Sequence, residues 1–258
     1  MSLNLNKIKE AYQDKVLERG FKVFDKFFSD YESDKTKVDI TTRISEYSKN
    51  LGFIFYQQED NDRSRRYLKI AAEASAYELF YQEPPQIIEH TRTPWEYIEA
   101  LEIVTSFGSM EDLNMLLDVD EIKFFHGTAE ELEECQFLAD TAFWLREYLS
   151  NETLEKGLID KLIKLSVSKR IGREEKHFVV PLVNGLKALV EDDRNSWNAS
   201  IQQALDAHLK EIKSGDYRDD IQGFICMPGM MLIKLGANKG WHTDIDSLYL
   251  PKQLMELS

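Results

Sequence analysis

Residues able to do chemistry are sparse in this chain, and each has a plain structural use. Glu174-Glu175-Lys176-His177 contains one Glu-x-x-His spacing, which puts two ligands on one helix face and could hold one ion of a dinuclear carboxylate centre. That centre needs a second copy and two further carboxylates on facing helices, and no second Glu-x-x-His exists here. His242-Thr243-Asp244 offers a base and an orienting carboxylate, but it follows Gly240-Trp241 in a polar loop, where turn formation is the common role. His208 falls on the inward face of its helix, which favours a buried imidazole bonded to a carbonyl or carboxylate over a catalytic base. Arg63, Arg65 and Arg66 form a basic cluster on an acidic chain, where pairing with nearby carboxylates is the expected use. A His-Glu-x-x-His pair, a glycine-rich phosphate loop and a nucleophile-elbow serine are all absent. The sequence therefore predicts no catalytic residue, no metal ligand set and no cofactor.

The elements that would position such residues are helices. Six prolines and twelve glycines are few for 258 residues, and alternating β-branched runs are nearly missing, so the punctuation of a sheet protein is not there. Ile8, Tyr12, Leu17, Phe21, Phe24 and Phe28 trace one face of a first helix, and residues 40–55 make a second. Asn61 or Asp62 could cap a third, with Tyr67, Ile70, Ala71 and Ala74 along its stripe, before Pro84-Pro85 ends it. Thr93-Pro94 opens a helix whose residues Trp95, Ile98, Leu101 and Ile103 or Val104 face inward, with Gly108 as its stop. Ser109 with Asp112 reads as a capping box for the next. Asn151 could cap a helix through Leu154, Leu158, Leu162 and Leu165. Pro181, inside the run of Phe178, Leu182, Leu186 and Leu189, predicts a helix start or a kink. Trp197, Ile201, Ala204, Leu205 and His208 then line a long helix at three- and four-residue steps. The prediction is all-α: an irregular antiparallel helical stack with tetratricopeptide- or HEAT-like packing and no significant sheet. It forms a single helical domain, 1–258, with an N-terminal helical subdomain, 1–90, and a main body, 91–258, as a finer division.

The formal net charge is −14, which repels phosphate and attracts a basic protein partner, so no nucleic acid is expected. The surplus is concentrated in residues 111–140, where Glu111, Asp112, Asp118, Asp120, Glu121, Glu130, Glu131 and Glu134 are accompanied by Lys123 as the one basic residue. The helix dipole accounts for the carboxylates just after Thr128. The remainder make an acidic surface that suits a cationic partner. Cys135 and Cys226 are too few to staple a chain of this size and read as buried apolar residues. The first ten residues lack the apolar core of a signal peptide, and residues 223–233 are too short to span a membrane and contain Pro228. No membrane association and a cytoplasmic location are the expectation.

The last third of the chain carries a pattern in fixed order. Trp197 leads a helix bearing Ala204-Leu205-Asp206-Ala207-His208; an acidic loop, Gly215-Asp216-Tyr217-Arg218-Asp219-Asp220, follows; an apolar helix closes at or before Gly240; and Tyr249-Leu250-Pro251 lies near the end. This order resembles the C-terminal half of the immunity protein 49 family of bacterial polymorphic toxin systems. Pro94-Trp95-Glu96-Tyr97-Ile98-Glu99-Ala100-Leu101 resembles that family's tryptophan-led middle helix, whereas residues 1–90 carry no matching motif. The resemblance implies a non-enzymatic protein that binds a cognate toxin domain. The acidic run of residues 111–140 makes a cationic nuclease one candidate target, and the free chain is expected to be a monomer. It assigns structural places to Trp95, Trp197, His208, Tyr249 and Pro251. Two readings of other classes stand beside it: a tetratricopeptide-like adaptor or chaperone with a peptide groove, and a helical-bundle metalloenzyme.

Overall fold

The computed structural model describes residues 10–82, 94–120, 136–151, 156–168 and 171–255. Ten α-helices make up most of them: α1 (Glu10–Ser33), α2 (Val38–Gln57), α3 (Asn61–Tyr81), α4 (Pro94–Phe107), α5 (Met110–Leu117), α6 (Gln136–Asn151), α7 (Lys156–Ser166), α8 (Val180–Val190), α9 (Arg194–Ser214) and α10 (Met227–Asn238). No strand occurs among the described residues, and the fold is all-α. Within those residues no helix is long and apolar enough to cross a membrane.

Side chains cap the starts of α3, α5 and α9, with departures from expectation at some helix ends. The α3 cap is Asp60, one residue earlier than Asn61; its carboxylate accepts from the Arg63 amide at 3.0 Å and pairs with the Arg63 guanidinium at 2.6 Å. Arg65 faces Asp62 and donates to the Gln253 carbonyl, so two of the three clustered arginines serve local contacts. The reciprocal Ser109–Asp112 box forms as predicted. Asn151 ends α6 instead of opening α7, which starts at Lys156. Ahead of Pro181 the chain takes one π-helical turn, Glu175–Val179, and α8 then begins with the proline in its first turn, where the missing N–H has no partner to lose.

Two apolar clusters hold the stack. The smaller joins α1, α2 and α3 through rings: Phe24 meets Tyr67 edge-on at 5.2 Å, and Phe55 stacks on Tyr67 at 5.5 Å. Tyr12, expected on the inner face of α1, is 53% exposed, because the periodic stripe begins before α2 is there to cover it. The larger cluster runs from Phe53 to Met255 and centres on α4, α8, α9 and α10. The closing segment returns to the N-terminal helices, where the Tyr56 hydroxyl donates to the Leu248 carbonyl. Small residues permit the closest approaches; a Cβ on Gly236 would sit 2.2 Å from the Trp197 ring.

Candidate functional site

Helix α4 presents Trp95, Ile98, Glu99 and Glu102 at steps of three and four, so all four line one side of a single pocket. The opposite wall comes from the second half of the chain: Phe178 from the π-helical turn, His208 from α9 and Tyr217 from the 3-10 turn Asp216–Asp219. The rings form a continuous ladder inward from the surface. Trp95 meets Phe178 edge-on at 6.2 Å, Phe178 meets Tyr217 at 5.2 Å, Tyr217 meets His208 at 5.4 Å, and His208 meets Tyr249 at 5.5 Å. The Trp95 indole N–H donates to the Glu99 carboxylate at 3.2 Å.

Glu102 is the unusual member. It is 7% exposed, and among the described residues its carboxyl takes part in no hydrogen bond or ion pair. Burial, and secondarily the charge of Glu99, push its pKa well above the carboxylate range, with Lys49 opposing. Burial likewise raises Tyr217, aided by Glu102 and Glu99, and pushes the Cys226 thiol up to about 12. It lowers His208 to about 4 against a hydrogen bond to the Gly223 carbonyl at 3.1 Å. The neutral imidazole must therefore carry its proton on Nε2, the atom facing that carbonyl. Lys49, Glu99 and Ile103 also line an adjoining open groove of about 250 Å³ between α2, α3 and α4, whose rim carries Glu46, Glu78 and Glu96. An acidic approach thus leads to an aromatic pocket with a buried acid in its wall.

A second polar cluster lies beside the pocket. The Glu211 carboxylate, 2% exposed, accepts from the Arg173 guanidinium, from His177 Nδ1 at 2.5 Å and from the Asp216 amide at 3.2 Å. Burial works to raise its pKa, and the Arg173 and His177 bonds outweigh that and hold it below the ordinary value. These bonds pin the π-helical turn and the 216–219 turn to α9, which fixes Phe178 and Tyr217 in the pocket wall. His177 Nε2 faces Lys210 Nζ at 3.5 Å, so both ring nitrogens point at groups of this chain. Glu174 of the Glu-x-x-His spacing is exposed; the carboxylate at His177 is Glu211. Glu211→Gln should cost about 2 kcal/mol, the scale of hydrogen bonds to a charged group. The loss is read as a lower urea midpoint and should be accompanied by altered Tyr217 fluorescence.

Among the carboxylates singled out from the sequence, Glu111, Asp118 and Asp120 are exposed, whereas Asp112 is buried in the α5 capping box. Glu121, Glu130, Glu131 and Glu134 lie outside the described residues, as do Cys135, Leu154 and Pro84-Pro85. Trp95 opens the pocket. Trp197 is fully buried and donates to the Leu232 carbonyl at 2.8 Å. His208 and Tyr249 sit in the ring ladder, and Pro251, buried, precedes the last 3-10 turn. His242 and Asp244 are exposed, with Thr243 between them turned inward to donate to Asn198 and to accept the Ile245 amide, a turn arrangement. Sequence reasoning missed Glu102 and Glu211. Both could have been found, because each continues an inward-facing stripe: Glu102 lies four residues after Ile98, and Glu211 three after His208.

Residues 142–254 match the family model of Immunity protein 49. That span contains Trp197, His208, Tyr249 and Pro251, together with Phe178 and Tyr217 of the pocket. The tryptophan-led helix at Pro94 lies outside it. No curated protein and no solved structure matches the chain.

Proposed function

Taking the match of residues 142–254 to Immunity protein 49 as premise, we propose that this protein neutralises a cognate bacterial toxin by binding the toxin domain directly. The family match is the observation that carries the reading, and the charge supports it. A net charge of −14 accelerates encounter with a basic domain, and a rigid helical body then buries a few aromatic anchors. The activity is binding alone, with the toxin's active site covered or its shape held. A nuclease fits as target, because acidic side chains can occupy a cationic groove shaped for phosphate.

Co-expression with the toxic domain of a cognate effector, sought among the neighbouring genes, tests the proposal: growth should be restored, and the two proteins should co-purify. Reversing Glu111, Asp118 and Asp120 to lysine should slow association about tenfold or more at low salt, the scale of electrostatic steering. The change should appear in the association rate and fade as salt is added. Absence of rescue by the unaltered protein would overturn the function; rescue with an unchanged rate in the reversed variant would move the capture surface elsewhere.

A further inference from the structure

We propose that the pocket beneath Trp95 receives a guanidinium group, an arginine side chain of the bound toxin domain, between its aromatic walls and against the Glu99 and Glu102 carboxyls. The pocket offers about 40 Å³ open to the centre of a water molecule. One water needs about 10–15 Å³ on that measure, so the space suits about three or four non-hydrogen atoms, the size of a guanidinium head. The walls are rings, and a planar cation stacks on such faces better than a compact ammonium does. Glu99 is exposed at the mouth. Glu102, over nine-tenths buried and without a hydrogen-bonding partner among the described residues, lines the interior. A carboxyl with so little access to water is costly to ionise, and an arriving donor fork offsets that cost with two charge-assisted bonds.

Among the described residues nothing in the pocket satisfies Glu102. Lys49 lines both pocket and groove but makes no ion pair with it within 4.0 Å, and its like charge limits the affinity of a free cation. Among the described residues five titratable or charged groups face Glu102: Lys49 of α2, Glu99 of its own helix, His208 of α9, Tyr217 of the 3-10 turn and Cys226 ahead of α10. Burial keeps Tyr217 and Cys226 protonated and His208 neutral. Arginine entry then ionises Glu102 and expels its proton, so binding tightens as pH rises.

The identity of the arginine's owner rests on the immunity reading, whereas the chemistry of the pocket does not. The full chain, with its tryptophan indoles labelled, is titrated with N-acetyl-arginine methylamide, and with the citrulline and lysine analogues as controls. The Trp95 indole resonance, identified by its loss in Trp95→Phe, should move with the arginine probe, less with lysine, and not with neutral citrulline. Glu102→Gln should weaken the arginine probe at least about tenfold, the loss expected on removing a charged hydrogen-bond acceptor. Should that variant fail to fold, Glu99→Gln at the exposed mouth makes the same comparison. Equal response to citrulline, or an unmoved Trp95 resonance, overturns the proposal. Cells protected by a protein that ignores the arginine probe would remove the pocket and keep the immunity function. A protein that binds the probe yet gives no protection would do the reverse.

Discussion

Gly236→Ala should destabilise this protein by about 3 kcal/mol, although alanine is the better helix former by about 1 kcal/mol. Gly236 lies within α10, and an added Cβ would fall 2.2 and 2.4 Å from two atoms of the Trp197 indole. That ring is fully buried and tied through Nε1 to the Leu232 carbonyl of the same helix. It can yield only by moving as a rigid plate. The displacement strains its packing, a cost of about 1–3 kcal/mol, and breaks a buried hydrogen bond worth a similar amount when left unsatisfied. The loss should appear as a lower urea midpoint with an unchanged slope. In a Trp197→Leu background the same substitution should cost much less, because the atoms it strikes are gone. A Gly236→Ala protein as stable as the parent would show that the contact between α9 and α10 is looser than described.

Acidification should weaken the fold by about 3 kcal/mol through His208 alone. Burial lowers its pKa to about 4 from an ordinary 6.5. Between these values the unfolded chain binds a proton that the folded protein refuses, so stability falls as pH drops across the window. The difference of about 2.5 units converts at about 1.36 kcal/mol each. Glu102 works in the opposite sense: its raised pKa means the folded state holds a proton that the unfolded chain releases, so its contribution diminishes as pH rises. The two slopes overlap, and the His208 part is isolated by comparison with His208→Gln, which cannot titrate. Denaturant unfolding across the range should show the parent's stability, less the variant's, rising by about 3 kcal/mol between about pH 4 and pH 6.5. Parallel curves would mean that the imidazole is charged, or solvated, in the folded state.

Both effects lie on stripes that the sequence displays openly. The spacing of Trp197, Ile201, Ala204, Leu205 and His208 marks the inner face of α9, and all five are buried. The Ser109–Asp112 box and the start near Pro181 were readable because caps and prolines act through neighbouring backbone groups. The order from Trp197 to Pro251 was likewise enough to reach the family whose model matches residues 142–254. The carboxylates were read less well. The count of acidic residues along 111–140 treated Asp112 as surface, whereas its side chain closes a cap. Glu102 and Glu211 attracted no notice because charge in a helical stretch usually means a solvated face.

Local physics thus determined from the sequence alone that this chain is helical, where α4, α5 and α8 begin and which face of α9 turns inward, since each depends on residues within one or two turns. Tertiary structure alone decided that Trp95 and Glu102 of α4 meet Phe178, Tyr217 and His208 across a pocket, and that Glu211 gathers Arg173 and His177. Those groups lie tens of residues apart, and no periodicity within one helix encodes which face of another it will meet. The acidic composition could indicate a cationic partner. Where that cation is received depends on how burial, rather than sequence, divides the carboxylates between water and the interior.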